Sequence, residues 1–239
     1  DKKLRLLVLD ALERVEIGIR TDIAILLGRH GSWAHRDPAR LHGNFARRPA
    51  NRHTTDTKHQ EWLSRLDDKF RKSKEDFAKH FKQKYPTDVP PIWVAVELWD
   101  FGTLSHFFSG MTVTDKDSIA GQYGLPNGAM LETWLRPLND VRNLCAHHSR
   151  LWNRNMAARP SWPAQGVVPH LDHLVGQTHS LTRFYASAVM LRHLLRVINP
   201  TTEWATRLIE HVGTLPQSPY ITLDSAGFPE DWADQDIWK

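Results

Sequence analysis

Residues 1 to 28 read DKKLRLLVLDALERVEIGIRTDIAILLG and place Leu4, Leu7, Val8, Ala11, Leu12, Val15 and Ile19 at helical spacing. A second apolar set, Leu6, Leu9, Ile17, Ile23 and Leu27, widens the stripe and predicts a long helix buried on more than one side. No capping residue precedes its first turn, and Gly28 and Gly31 end it. A helix of this kind needs other helices to cover it.

The rest of the chain supplies them. Residues 59 to 84 read as one charged amphipathic helix, with Trp62, Leu66, Phe70, Phe77 and Phe81 recurring near helical period among lysines. Pro86, Pro90 and Pro91 break the chain before IWVAVELWDFGTLSHFF, which predicts a central core helix in which Glu97 needs a partner. A short helix is expected over Lys116 to Tyr123, ending at Gly124, then a longer stretch from Met130 to Ala157 that Pro137 kinks or restarts. Pro169 opens a further helix to Ile198, and another covers Thr202 to Val212. The closing LPQSPYITLDSAGFPEDWADQDIW, rich in proline and aromatics, predicts a tail that wraps the helical body. No strand alternation, fixed-period repeat or low-complexity linker occurs. The expected architecture is an all-α bundle forming a single domain over residues 1–239.

Composition narrows the function classes. Of 239 residues, 41% are hydrophobic and 24% charged, as in an ordinary globular protein. No run of about 18 apolar residues exists to cross a membrane, and residues 1–20 lack the order of a secretory signal, so a cytoplasmic protein without a membrane partner is expected. Cys145 is the one cysteine, which excludes an internal disulfide and a cysteine-based zinc site. A formal charge of +4 leans toward an anionic partner. The charge is concentrated in a basic loop from Arg36 to His59, where Arg36, Arg40, Arg47, Arg48, Arg52 and Lys58 face only Asp37 and Asp56.

The densest chemistry lies in RNLCAHHSRLWNR, residues 142–154. On a helix Asn143 and His147 share a face to within about 40 degrees, whereas Arg142 and His147 lie about 140 degrees apart. Arg150 and Arg154 are again four apart. An imidazole titrating near neutrality with an arginine to hold phosphate is the equipment of metal-free RNA cleavage. One helix cannot wrap both groups around one phosphate, but two facing helices could. On spacing alone, satisfied helix histidines and solubilising arginines explain the pattern better. A metal site is weaker still: there is no HExxH, and His170 and His173 have no third ligand and fit a wet first turn. Cys145 and His147 fall on different faces, against a nucleophilic dyad.

The same segment closely resembles the signature of the Abi-like abortive-infection family (the AbiD/AbiF group), whose arginine, polar residue and histidine follow the Rx4-6H pattern of the HEPN superfamily. ALERVEIGIRT, KSKEDFAKHFKQKYP, PIWVAVELWDFGTLS, LETWLRPLNDVRNLCAHHSRLWNR and GFPEDWADQDIW resemble family blocks in the family order. The resemblance implies a HEPN-like helical bundle, preceded by further residues in the whole protein. It implies a metal-independent endoribonuclease toxin of phage defence, with no cofactor, cutting RNA at a site shared by a homodimer and leaving a 2′,3′-cyclic phosphate. Arg142 would hold the phosphate, Asn143 orient the site and His147 move the proton. His148, one place further, also satisfies the pattern, and His147 is preferred because it shares a face with Asn143. Some HEPN toxins carry a modifiable tyrosine where Ser149 stands, which argues against neutralisation by that route. Relatives are associated with small structured non-coding RNAs. Arg150, Arg154, Arg47, Arg48 and Arg52 are candidate RNA contacts, since cations displace counterions from a phosphate backbone. The alternatives are a non-catalytic module that holds such an RNA and a helical interaction protein whose motif stabilises a dimer.

Overall fold

Helix α1 (Lys2–Gly28) buries Leu4, Val8, Ala11, Leu12, Val15 and Ile19 of the stripe that its spacing predicts, with Leu7 half-buried, and also buries Ile23 and Leu27 of the second set. Its second apolar set is only partly covered: Leu6 is 58% and Ile17 52% exposed. The two are eleven residues apart and so within about 20 degrees of each other on the cylinder, which leaves one edge of α1 in solvent. The computed structural model describes residues 1–85, 87, 89–216 and 218–239; Pro86 lies outside them.

After α1 come α2 (Gly43–Ala46), α3 (Lys58–Lys72), α4 (Asp76–Lys84), α5 (Ile92–Ala95), α6 (Phe101–Ser109), α7 (Val113–Gln122), α8 (Gly128–Ala146), α9 (Thr178–Leu181), α10 (Phe184–Ile198) and α11 (Trp204–Gly213), with short 3-10 turns between and after them. The fold is all-α; among the described residues only isolated β-bridges occur, such as Leu41 with Met111. Two compact units form: Asp1–Glu16 with Ala120–Lys239, and Ile17–Ile119.

In the Ile17–Ile119 unit the expected helix over 59–84 is two helices. Thr57 and Gln60 build a capping box that starts α3, the chain leaves helical geometry at Ser73, and α4 starts after Glu75. The expected core helix from Ile92 is also divided. The Asp100 carboxylate accepts from the Thr103 amide at 2.8 Å, capping a fresh helix and ending the turn before it. Glu97 is exposed on that short turn and so needs no buried partner. Trp62, Trp99 and Phe107 form the aromatic centre, their ring centroids 4.7–5.0 Å apart.

Gly110 sits where this packing leaves no room. A Cβ there would lie 2.2–2.6 Å from the Phe45 ring, which is itself held edge-on against Phe107 and His106. Gly110→Ala is expected to destabilise the protein by about 1–3 kcal/mol through overpacking. A urea melt with an unchanged midpoint would refute this.

In the other unit, α10 is buried along most of its length and carries Tyr185 at the centre of an aromatic cluster with Phe228, Trp232 and Trp238. The tail therefore packs against helices, as its composition predicts. The expected helix from Pro169 is instead a 3-10 turn (Pro169–Leu174), α9 and α10, separated at Gly176 and at Thr182–Arg183. Gly176 adopts φ 79, a left-handed conformation that ends the turn.

Candidate functional site

The motif is delivered by α8. The Asn127 side chain accepts from the Met130 amide at 2.9 Å and starts the helix. Leu131, Trp134, Leu135, Leu138, Val141 and Cys145 then recur at three- and four-residue steps and are buried. Trp134 anchors the helix by donating to the Ser161 carbonyl at 2.8 Å and stacking on Trp162 at 5.3 Å. The opposite face carries Arg136, Asn139, Asp140 and Asn143 toward solvent. Pro137 does not start a new helix: it lies inside a continuous α8, so Arg142 and Asn143 stand near its end, not near a start.

That end has a specific geometry. His147 is the capping residue, and its amide donates to the Asn143 carbonyl at 2.9 Å. The His148 amide donates to the Cys145 carbonyl at 3.2 Å and the Ser149 amide to the Leu144 carbonyl at 2.9 Å. This is the Schellman pair of bonds, which needs a left-handed residue at the position of His148. His148 supplies it at φ 57, a conformation glycine adopts without penalty and histidine does not. Both imidazoles are exposed. Arg142 and Asn143 are half-buried, and the Arg142 guanidinium donates to the Asn143 side-chain oxygen at 3.4 Å. Burial pushes the Cys145 thiol up to about 11, which keeps it protonated and unreactive.

Because α8 stops at Ala146, the helix expected to reach Ala157 does not form, and Arg150 and Arg154 are not one turn apart on a common face. Both are exposed in the irregular segment that follows. That segment is fastened to the first turn of α1. The Asp1 carboxylate accepts from the amides of Leu151 at 3.2 Å and Trp152 at 3.0 Å, and Arg5 donates to the Ser149 carbonyl at 3.2 Å. Further along, the Met156 amide donates to the Thr182 carbonyl at 2.9 Å.

Arg142, Asn143, His147 and His148 thus share one helix end, with Arg150 and Arg154 just beyond it. Arg47, Arg48 and Arg52 belong to the Ile17–Ile119 unit, and all three are exposed. Arg47 ends α2 with its guanidinium over Gly43, and with Arg48, His42 and Asn44 it lines an open depression of about 700 Å³. Arg52 donates to His53 at 2.8 Å. The basic loop carries less free charge than its sequence implies, since Arg36 forms a two-pronged ion pair with Asp67 at 2.7 and 2.8 Å.

His170 and His173 are not a wet first turn. His170 meets the buried His193 at 2.8 Å, and His173 meets the Tyr185 hydroxyl at 3.0 Å. His193 was invisible as a polar centre in the sequence because it stands inside the apolar run of α10; its only signal is a charge-capable ring in YASAVMLRHLL. Among the described residues no group of three His, Cys, Asp or Glu side chains is placed to hold a metal ion, and no helix is long and apolar enough to cross a membrane.

A family model described as Abi-like protein matches residues 1–153, from the first turn of α1 to Asn153, one residue short of the end of the motif. The chain belongs to the Abi-like protein family. No curated protein and no solved structure matches it. In this Abi-like protein the matched region ends at Asn153, so it includes the helix end and the Asp1 and Arg5 contacts that hold the following segment.

The left-handed histidine of this Abi-like protein yields a direct prediction. His148→Gly removes the steric penalty while preserving both Schellman bonds, and is expected to raise stability by roughly 0.5–1 kcal/mol. A lower urea midpoint for that variant would mean that the exposed imidazole makes a contact the geometry does not provide.

Proposed function

We propose that this Abi-like protein is a metal-independent endoribonuclease of abortive-infection phage defence, a HEPN-type toxin acting as one domain over residues 1–239 and as a homodimer. The observation that carries this reading is the end of α8, where Arg142, Asn143 and His147 surround a capped terminus with the imidazole in solvent. A substrate phosphate can reach such a terminus without any rearrangement of the core.

In the reaction, the 2′-hydroxyl loses its proton as its oxygen bonds to phosphorus, the P–O5′ bond breaks, and the 5′-oxygen gains a proton. The products are a 2′,3′-cyclic phosphate and a 5′-hydroxyl, with no water consumed. His147 serves as base or acid, and Arg142 holds the phosphate oxygens through its planar fork of donors. Asn143 orients the Arg142 guanidinium across their 3.4 Å contact. One imidazole cannot be base and acid in the same step, so a second copy of the chain supplies the other, with its α8 terminus facing the first. Arg150, Arg154, Arg47, Arg48 and Arg52, all exposed, hold the RNA through its backbone.

The test is cleavage of end-labelled RNA by the purified protein in EDTA, with the chemistry of the product ends determined. Cyclic phosphate ends support the reading. RNA binding without cleavage would instead favour a module that holds a small structured RNA.

A further inference from the structure

A cleft of about 300 Å³ lies alongside α8, between its solvent face and residues 157–159 of the chain beyond the motif. Thr133, Arg136, Asp140, Ala157, Ala158 and Arg159 line it, all in the unit that holds the motif. The wall opposite α8 is fastened to the helix just past Arg159. The Ser161 amide donates to the Thr133 hydroxyl at 3.0 Å, and Trp134 donates to the Ser161 carbonyl at 2.8 Å and stacks on Trp162. Ala157 and Ala158 carry nothing beyond Cβ on that wall, so the space between the charged groups stays open.

The charges of the cleft define what it would accept. Arg136 and Arg159 are exposed and Asp140 is half-buried, so all three present accessible surface to an occupant. Arg159 makes one long contact, to the Thr178 hydroxyl at 3.5 Å, and among the described residues the side chains of Arg136 and Asp140 have no hydrogen-bond or ion-pair partner. Two guanidiniums against one carboxylate leave a net positive charge, and their planar forks match the oxygens of a phosphodiester. An ionised carboxylate only accepts hydrogen bonds, so Asp140 calls for a donor on the same ligand, close to its anionic group. A ribonucleotide unit carries both, a phosphate and a 2′-hydroxyl; DNA lacks the second.

We propose that this cleft holds a ribonucleotide of the bound strand other than the one being cut, with Arg136 and Arg159 on its phosphate and Asp140 accepting from its 2′-hydroxyl. Such a contact selects RNA over DNA. The place of the cleft along the strand rests on the ribonuclease reading; its chemistry does not. With α8 extended to its capping residue, Arg136, Asp140, Asn143 and His147 fall within about 60 degrees of one another around the axis, and the rise from Arg136 to His147 is about 16 Å. A strand lying along that stripe meets the cleft at a phosphate away from the one that His147 serves.

The test uses His147→Ala protein as the parent, with a short fluorescently labelled RNA and a DNA of the same sequence, and affinity read by anisotropy over a range of salt. The parent is expected to prefer the RNA. Asp140→Ala is expected to cut that preference about tenfold, the effect of one hydrogen bond to a charged acceptor. Arg136→Gln and Arg159→Gln together are expected to lower the slope of log affinity against log salt by about 0.7, the value for one phosphate contact on a single strand. Ala157→Leu fills the cleft and leaves every charge in place, and is expected to weaken RNA binding several-fold. These side chains all lie on the solvent side of the unit, so the core is untouched. An Ala157→Leu protein that binds RNA as its parent does would mean that the arginines act as scattered surface charge, and overturns the cleft. No preference for RNA in the parent, or an undiminished one in Asp140→Ala, overturns it as well. Cleavage by the protein with His147 intact is scored separately. Binding that depends on Asp140 and Ala157, without cleavage, removes the ribonuclease reading and leaves the cleft, whereas cleavage with binding indifferent to both removes the cleft alone. Failure to bind either nucleic acid overturns the cleft.

Discussion

His147→Ala is expected to lower RNA cleavage about a hundred- to ten-thousand-fold, the span that a positioned general acid or base supplies. The fold should not change. The imidazole is exposed, and the structural duty of the residue, donation from its amide to the Asn143 carbonyl at 2.9 Å, belongs to the backbone and survives in alanine. Surface substitutions of this kind stay within about 0.5 kcal/mol. A loss of activity at constant melting temperature is therefore chemical and not conformational. His148→Gly provides the comparison: it keeps the terminus and is expected to keep most of the cleavage if His147 moves the proton. The reverse pattern, with His147→Ala active and His148→Gly dead, would assign the role to His148. Activity in both single variants would remove the motif from the chemistry altogether. Arg142→Lys tests the phosphate contact, because lysine keeps the charge but loses the planar fork that also reaches Asn143.

How far the sequence discloses this site is clearest at α8. The periodicity of Leu131, Leu135, Leu138, Val141 and Cys145 marks the buried face correctly, and Arg142, Asn143, His147 and His148 crowd at the end of that helix. What periodicity misses is where the helix stops. Terminators are usually recognised by glycine or asparagine at the left-handed position, and here histidine occupies it, so the run reads on to Ala157. Pro137 misleads in the opposite direction. A proline inside a helix removes one amide donor but, buried on the packed side, does not break α8. The division at Asp100 rests on a single capping side chain, Asp100 onto the Thr103 amide, which outweighs an apolar pattern that continues on both sides of it, whereas α4 starts after Glu75 without a side-chain cap.

Stability should fall steeply with acid, and two buried histidines account for the direction. His193 is 4% exposed; it donates from Nε2 to the Tyr123 carbonyl at 2.8 Å and meets Nε2 of His170 through Nδ1 at 2.8 Å. Burial, and then the neighbouring His170, lower it from 6.5 to about 4, against the opposing pull of the Tyr123 carbonyl, and Arg196 adds to the lowering. His35 is fully buried with both ring nitrogens unpartnered, and burial, Arg36 and His59 lower it to about 3 despite Asp67 nearby. Both folded values lie below the unfolded value of 6.5, so between them the unfolded chain binds more protons and stability rises with pH. The contribution is complete above pH 6.5 and is lost as pH falls toward about 4 for His193 and about 3 for His35. At ~1.4 kcal/mol per pKa unit, the two histidines are worth roughly 3–5 kcal/mol each, a large share of the 5–15 kcal/mol typical of a folded protein. Urea midpoints measured from pH 7 down to about 4.5 should therefore drop steadily. His35→Leu offers the sharper measurement, because it removes the ring and its two orphaned nitrogens together. It should hold or raise stability at pH 7, since an unpaired buried polar group is a net cost, and should flatten the acid slope. A His35→Leu protein that is weaker at pH 7 and keeps the parent's slope would show that the imidazole is paired and does not drive the acid response.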